Sequence, residues 1–222
     1  MSERIPLSHP VHVLPAQPDI SESLRNAVIT AFRWAWSRLR EDTAVDPMFA
    51  EEEAITNEIE NLLNQQRNGK RRASMLRLFN KVVRSGQQRS AGTSFRQSPD
   101  LTFQPKRVPP KVTHLGDWGL FAECKIIEPR SDHSPGVYCE TGVKKFADGR
   151  YAKCMTSGLM VAYVRDGRGP CATLKPLLVN SNVRADLEND DILYSLHDRS
   201  QLQQPCVAIE LTHVWLDARA SE

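Results

Sequence analysis

A carboxylate and an amine stand two residues apart in an otherwise apolar stretch, Glu123-Cys124-Lys125 within LFAECKII. In a strand, successive side chains alternate between faces. Glu123 and Lys125 therefore share one face, and Leu120, Ala122, Cys124 and Ile126 share the other. A second carboxylate, Asp100, follows Pro99 and opens the short apolar run LTF. If that run pairs beside the longer strand, Asp100 arrives next to Glu123. Two carboxylates and a backbone carbonyl, such as that of Cys124, make a hard oxygen site suited to Mg²⁺, with Mn²⁺ as a substitute. Such an ion polarises a phosphodiester. A neighbouring lysine orients or deprotonates water and offsets developing negative charge. Phosphodiester hydrolysis needs those roles.

A third acid comes from a helix upstream. Ile55, Ile59, Leu62 and Leu63 recur on one face of a helix spanning about 50–65. At 100° per residue, Glu52 lies about 35° from the mean direction of that face, and Glu53 about 135° away. Glu52 thus points inward, where a lone carboxylate is costly unless it meets a metal or a base.

The charge is unevenly spread. Residues 67–111 hold twelve Lys or Arg and one acid, Asp100, so this stretch is +11 in a chain of net charge +2. Just upstream, 41–60 holds eight acids and no base. A basic stretch around a lone acid is the footprint of a polyanion-binding face. Arg71, Arg72, Arg77 and Lys81 lie on the outer side of a helix expected over 70–84, with Met75, Leu78, Phe79 and Val82 inward.

Pro99-Asp100 followed by Glu123-x-Lys125 resembles the PD-(D/E)xK nuclease superfamily over roughly 50–165. Glu52, Ile55 and Thr56 also match the E-x-x-I-T string found upstream in many of its members. The segment KKFADGRYAKCM, before the apolar strand GLMVAYV, looks like the helix that follows the E-x-K strand in nucleases of bacterial defence systems. The resemblance implies a restriction-endonuclease-like α/β/α sandwich with a central mixed sheet and an N-terminal helical portion. It implies Asp100, Glu123 and Glu52 as metal ligands and Lys125 as the catalytic lysine, with Lys145 and Arg150 placed to contact phosphate. The implied activity is that of a Mg²⁺-dependent endonuclease on DNA, RNA remaining open, as an effector of anti-phage defence or restriction. The alternative is a non-catalytic nucleic-acid-binding or assembly subunit that keeps the fold.

The elements that must position these residues follow from periodicity. Residues 1–18 read as a proline-rich arm and 20–40 as a helix with Leu24, Val28, Phe32, Trp36 and Leu39 on one stripe. Residues 1–45 are thus set apart as arm and helix, and 46–222 as the nuclease-like domain. Strands are expected at 101–103, 120–127, 159–164, 192–197 and 206–216. Helical stretches are expected at 136–157, interrupted near Gly149 and capped by Gly158, and in part of 171–188. This order defines an α/β chain. His114, His133, His197 and His213 share no zinc spacing, and Trp118 reads as a packing anchor. Five cysteines without a CxxC pair argue against a disulfide framework or zinc site. No apolar run approaches the roughly 20 residues of a membrane span. The N-terminus has no signal-like apolar region. The expectation is a cytoplasmic protein whose specificity comes from a homodimer or from partner proteins.

Overall fold

The computed structural model describes residues 16–42, 44–69, 75–84, 98–112, 115–202 and 206–219. The run expected to be a central strand is β4 (Ser157–Val164), buried at every position. A strand covered on both faces must be apolar on both, hence the unbroken run. It pairs in parallel with β3 (Leu120–Ile127) on one side and β7 (Ile209–Asp217) on the other. Beyond β3 lie β2 (Leu101–Phe103) and β1 (Val83–Arg84), both antiparallel. Beyond β7 lie β6 (Ile192–His197) and β5 (Asn182–Ala185), also antiparallel. The result is a seven-stranded mixed sheet in the order β1-β2-β3-β4-β7-β6-β5.

Helices cover both faces. On one, α1 (Glu22–Asp42) stacks Trp36 on Tyr163 of β4 and tilts Phe32 against Phe103 of β2. Beside it, the Thr56 hydroxyl of α2 (Glu52–Asn68) is hydrogen-bonded to the Tyr163 hydroxyl at 3.2 Å. On the other face runs one helical rod: α3 (Pro135–Tyr138), a π turn (Cys139–Val143) and α4 (Lys144–Ala147). Its Tyr138 packs on His213 and Trp215 of β7. Gly158 faces this rod: a Cβ there would lie 2.9 Å from the Phe146 ring. Gly158 is therefore a close-packing residue within β4 and not a helix cap. α1, α2 and the sheet share one hydrophobic core.

Two expected helices differ. Residues 75–84 are not helical. The Asn80 amide donates to the Gln104 carbonyl and that of Lys106 to Leu78, while Phe79 bridges Pro105. Asn64 binds both the N–H and the C=O of Val82. These tertiary partners for the backbone override the helical spacing, and Leu78 is left 53% exposed. The helix over 136–157 breaks near Gly149 as expected, ending at Ala147, but it does not resume, because Gly149 and Ala152 adopt positive φ. In its place, buried Arg199 donates to the carbonyls of Ala152, Met155 and Val207 and ties this loop to the approach to β7. Part of 171–188 is helical, as expected: α5 (Pro170–Leu174) opens it, and β5 occupies Asn182–Ala185. No helix among the described residues is long and apolar enough to cross a membrane.

Candidate active site

β2 stops opposite Ala122, while β3 continues to Ile127. The outer edge of β3 past Ala122 thus lacks a strand partner among the described residues, and carboxylates satisfy it instead. Asp100, the residue before β2, accepts from the Cys124 amide at 2.7 Å. Glu52, the first residue of α2, accepts from the Ile126 amide at 3.1 Å through Oε2. The free Cys124 carbonyl accepts from Lys125 Nζ at 2.9 Å. The short β2 is therefore what opens a place for two acids and a lysine on one strand edge.

Lys125 Nζ lies among three carboxylates: 2.7 Å from Glu52 Oε1, 3.3 Å from Glu123 Oε1 and 4.0 Å from Asp100 Oδ2. Burial works against its charge, but Glu123, Glu52 and Asp100 outweigh it and hold its pKa above the ordinary lysine value. Glu123 is 1% exposed. Its Oε1 also accepts from Lys145 Nζ of α4 at 2.8 Å. Its Oε2 is buried and has no hydrogen-bond partner among the described residues. Burial, and then the Asp100 charge, raise the pKa of Glu123 against the opposition of Lys125 and Lys145. Burial also raises Asp100, opposed by Lys125 and the Cys124 amide.

The residues singled out from sequence fall into three groups. Glu52, Asp100, Glu123, Lys125 and the Cys124 carbonyl come together. Lys145 joins them, but as a partner of Glu123 and not as an open phosphate contact: its side chain is 18% exposed. Arg150 forks onto Asp148. Arg77 and Lys81 are exposed, beside β1. Arg71, Arg72 and His114 lie outside the described residues. Trp118 is buried and donates to the Pro18 carbonyl.

The unpartnered Glu123 Oε2 is an acceptor that nothing in the described chain completes, and carboxylate oxygens are the donors a hard divalent cation takes, although Glu52, Asp100 and Glu123 do not bring one oxygen each within 4.8 Å of one another. The fit requires the Lys125 ammonium to yield some of its contacts. Among the described residues, the one group of three metal-capable side chains with ligand atoms within 4.8 Å of one another is elsewhere: Glu128, Asp132 and His133, in EPRSDH after β3. Sequence spacing did not flag it. Its Glu128 already accepts from Arg165 at 3.2 Å and is hydrogen-bonded to His133 at 2.8 Å. Arg165 also donates to the carbonyls of Pro47 and Ala50. That group is a clamp joining the loop before α2 to the β3–β4 end of the sheet.

No known protein family, curated protein or solved structure matches the chain.

Proposed function

We propose that the chain is a Mg²⁺-dependent endonuclease that hydrolyses phosphodiester bonds of DNA, with the restriction-endonuclease-like fold of the superfamily its motif resembles. The observation that carries this reading is the buried, unpartnered Oε2 of Glu123 within a cluster of three carboxylates and a lysine. A carboxylate oxygen at that depth is costly unless a cation or donor completes it. Asp100, Glu123 and the Cys124 carbonyl would hold Mg²⁺ or Mn²⁺, with Glu52 as the third carboxylate. When bound, the ion supplies Lewis-acid charge at the scissile phosphate. Lys125, kept protonated by its carboxylates, acts as a charge and a hydrogen-bond donor on that phosphate and not as a base. Glu52, with 30% of its side chain exposed, is the most open acid and takes the proton of the attacking water. Helices on both faces of a mixed sheet support the finer fold assignment, and the +11 stretch supports a polyanionic substrate. A role in anti-phage defence or restriction rests on the resemblance alone.

A second reading has one observation in its favour. The Lys125 ammonium already offsets part of the carboxylate charge without a metal, as a binding or assembly subunit with a retired site would require. Plasmid cleavage in Mg²⁺ and in EDTA, by wild type and Lys125→Ala, decides between them. The expected result is cleavage in Mg²⁺ only, at least about 100-fold slower in the variant. Normal cleavage by Lys125→Ala sinks the nuclease assignment of this site. DNA binding without cleavage by wild type supports the second reading.

A further inference from the structure

We propose that Lys145 is a positioning residue that fixes which oxygen of Glu123 is offered to a divalent cation and sets the net charge of the site. This rests on the reading of Asp100 and Glu123 as ligands. Lys145 Nζ occupies Glu123 Oε1 at 2.8 Å, leaving only Oε2 open. The lysine is itself held. Its Nζ lies 5.2 Å from the centroid of the buried Tyr151 ring, and its carbonyl accepts from the Tyr151 amide at 2.9 Å.

The rod that carries Lys145 is built to aim it. The π turn adds a residue to one turn and so rotates everything after it. Gly142, within that turn, lies so close to β4 that a Cβ would meet Met160 Cε at 2.4 Å and Lys125 Cγ at 3.7 Å. The first residue after the turn, Lys144, turns outward to Glu140 at 2.7 Å, while Lys145 turns inward to the sheet. Two adjacent lysines thus have opposite destinations.

The charges explain what the inward lysine does. Glu52, Asp100 and Glu123 against Lys125 and Lys145 give the site a charge of −1. A dication makes it +1, which attracts a phosphodiester. Without Lys145 the values become −2 and 0. The cation then binds more tightly, and the polyanion less so. Lys145 therefore weakens metal binding while favouring substrate. The opposed signs separate this role from two others. A residue that only contacts phosphate leaves metal affinity in the nucleic-acid-free protein unchanged. A residue that only supports the fold weakens both.

The test is Mn²⁺ titration by calorimetry without nucleic acid, on wild type, Lys145→Gln and Lys145→Arg. Gln keeps a donor for Glu123 Oε1 and removes the charge, so the fold is retained. Lys145→Gln should bind Mn²⁺ at least about threefold more tightly, with Lys145→Arg like wild type. With Mg²⁺ saturating, Lys145→Gln should raise the KM for plasmid DNA. Unchanged or weaker Mn²⁺ binding by Lys145→Gln overturns the proposal. A wild type that binds no Mn²⁺ overturns both it and the nuclease reading. Tighter binding by Lys145→Gln in a protein that cleaves nothing upholds the Lys145 role and removes the nuclease.

Discussion

At the scale of single residues, direction matters more than type. Glu51, Glu52 and Glu53 are chemically alike and adjacent, yet only the second reaches Lys125 Nζ, at 2.7 Å. Glu53 is largely exposed and meets Arg84 at 3.5 Å. Glu52→Gln should therefore cut turnover at least about tenfold, because it removes a charge from the reacting centre. Glu53→Gln should leave it unchanged. Equal rates for the two variants would reduce the site to Asp100, Glu123 and Lys125. The position of Glu52 was legible in sequence because helical spacing fixes an angle relative to an apolar face. Asp100 and Glu123 were legible from strand alternation and from the neighbouring short strand. The inward aim of Lys145 was not legible. It depends on a π turn, which a regular period of 3.6 residues cannot represent, and KKFADG gives no sign of which lysine turns in. The bare Oε2 of Glu123 was not legible either, since an orphaned atom is a property of the packed neighbourhood.

At the scale of elements, local pattern served where elements are long and failed where distant backbone competes. α1, α2, β3 and β4 bury continuous stripes or runs, and their periodicity survives folding. Residues 75–84 have helical spacing, but their N–H and C=O groups are taken by Asn64, Gln104 and Lys106. One buried polar chain links elements that no local pattern connects. Tyr138 of α3 is hydrogen-bonded to His213 of β7, His213 to Ser195 of β6, and Ser195 to His197. Burial, and then its neighbour His197, lower His213 to about 3. Burial, and then Arg199, lower His197 to about 4. Both rings are neutral in the fold, whereas in the unfolded chain they take up protons near pH 6.5. The unfolded state thus binds more protons below that pH, so the stability these rings contribute is present above it and is lost as pH falls toward 4. Asp100 and Glu123, raised by burial, act in the opposite sense at the acid end. Urea unfolding at pH 7.5, 6 and 5 should show a steep loss for wild type. His213→Gln should be less stable at pH 7.5, yet its loss below pH 6 should be shallower by about 1.4 kcal/mol per pH unit. Parallel slopes would mean that His213 is not neutral in the folded chain.

At the scale of the whole molecule, folding brings two described segments of the basic stretch onto one edge. The segments 75–84 and 101–107 lie side by side through the Phe79–Pro105 bridge and the amides of Asn80 and Lys106. Arg77, Lys81, Lys106 and Arg107 are exposed on these two segments. The same edge leads through β2 to Asp100, the lone acid of the stretch and a member of the candidate site. A polyanion lying along β1 and β2 would therefore be led toward the free edge of β3. Each cation that meets a phosphate releases condensed counterions, so affinity should fall linearly with the logarithm of salt concentration. Changing Arg77, Lys81, Lys106 and Arg107 together to Gln removes four charges from solvent-facing side chains. The fold should tolerate this, since exposed substitutions change stability by no more than about 0.5 kcal/mol each. If all four meet phosphates, the salt slope for duplex DNA should shrink by about three to four. Mn²⁺ binding at Asp100 and Glu123 should change far less than DNA affinity, because these four charges are exposed and screened by salt. The measurement is DNA affinity between about 50 and 200 mM salt, over which such proteins lose several orders of magnitude of affinity, alongside the Mn²⁺ titration. A slope unchanged in the quadruple variant would move the nucleic acid to another face, and the path from the basic edge to Asp100 would fall with it.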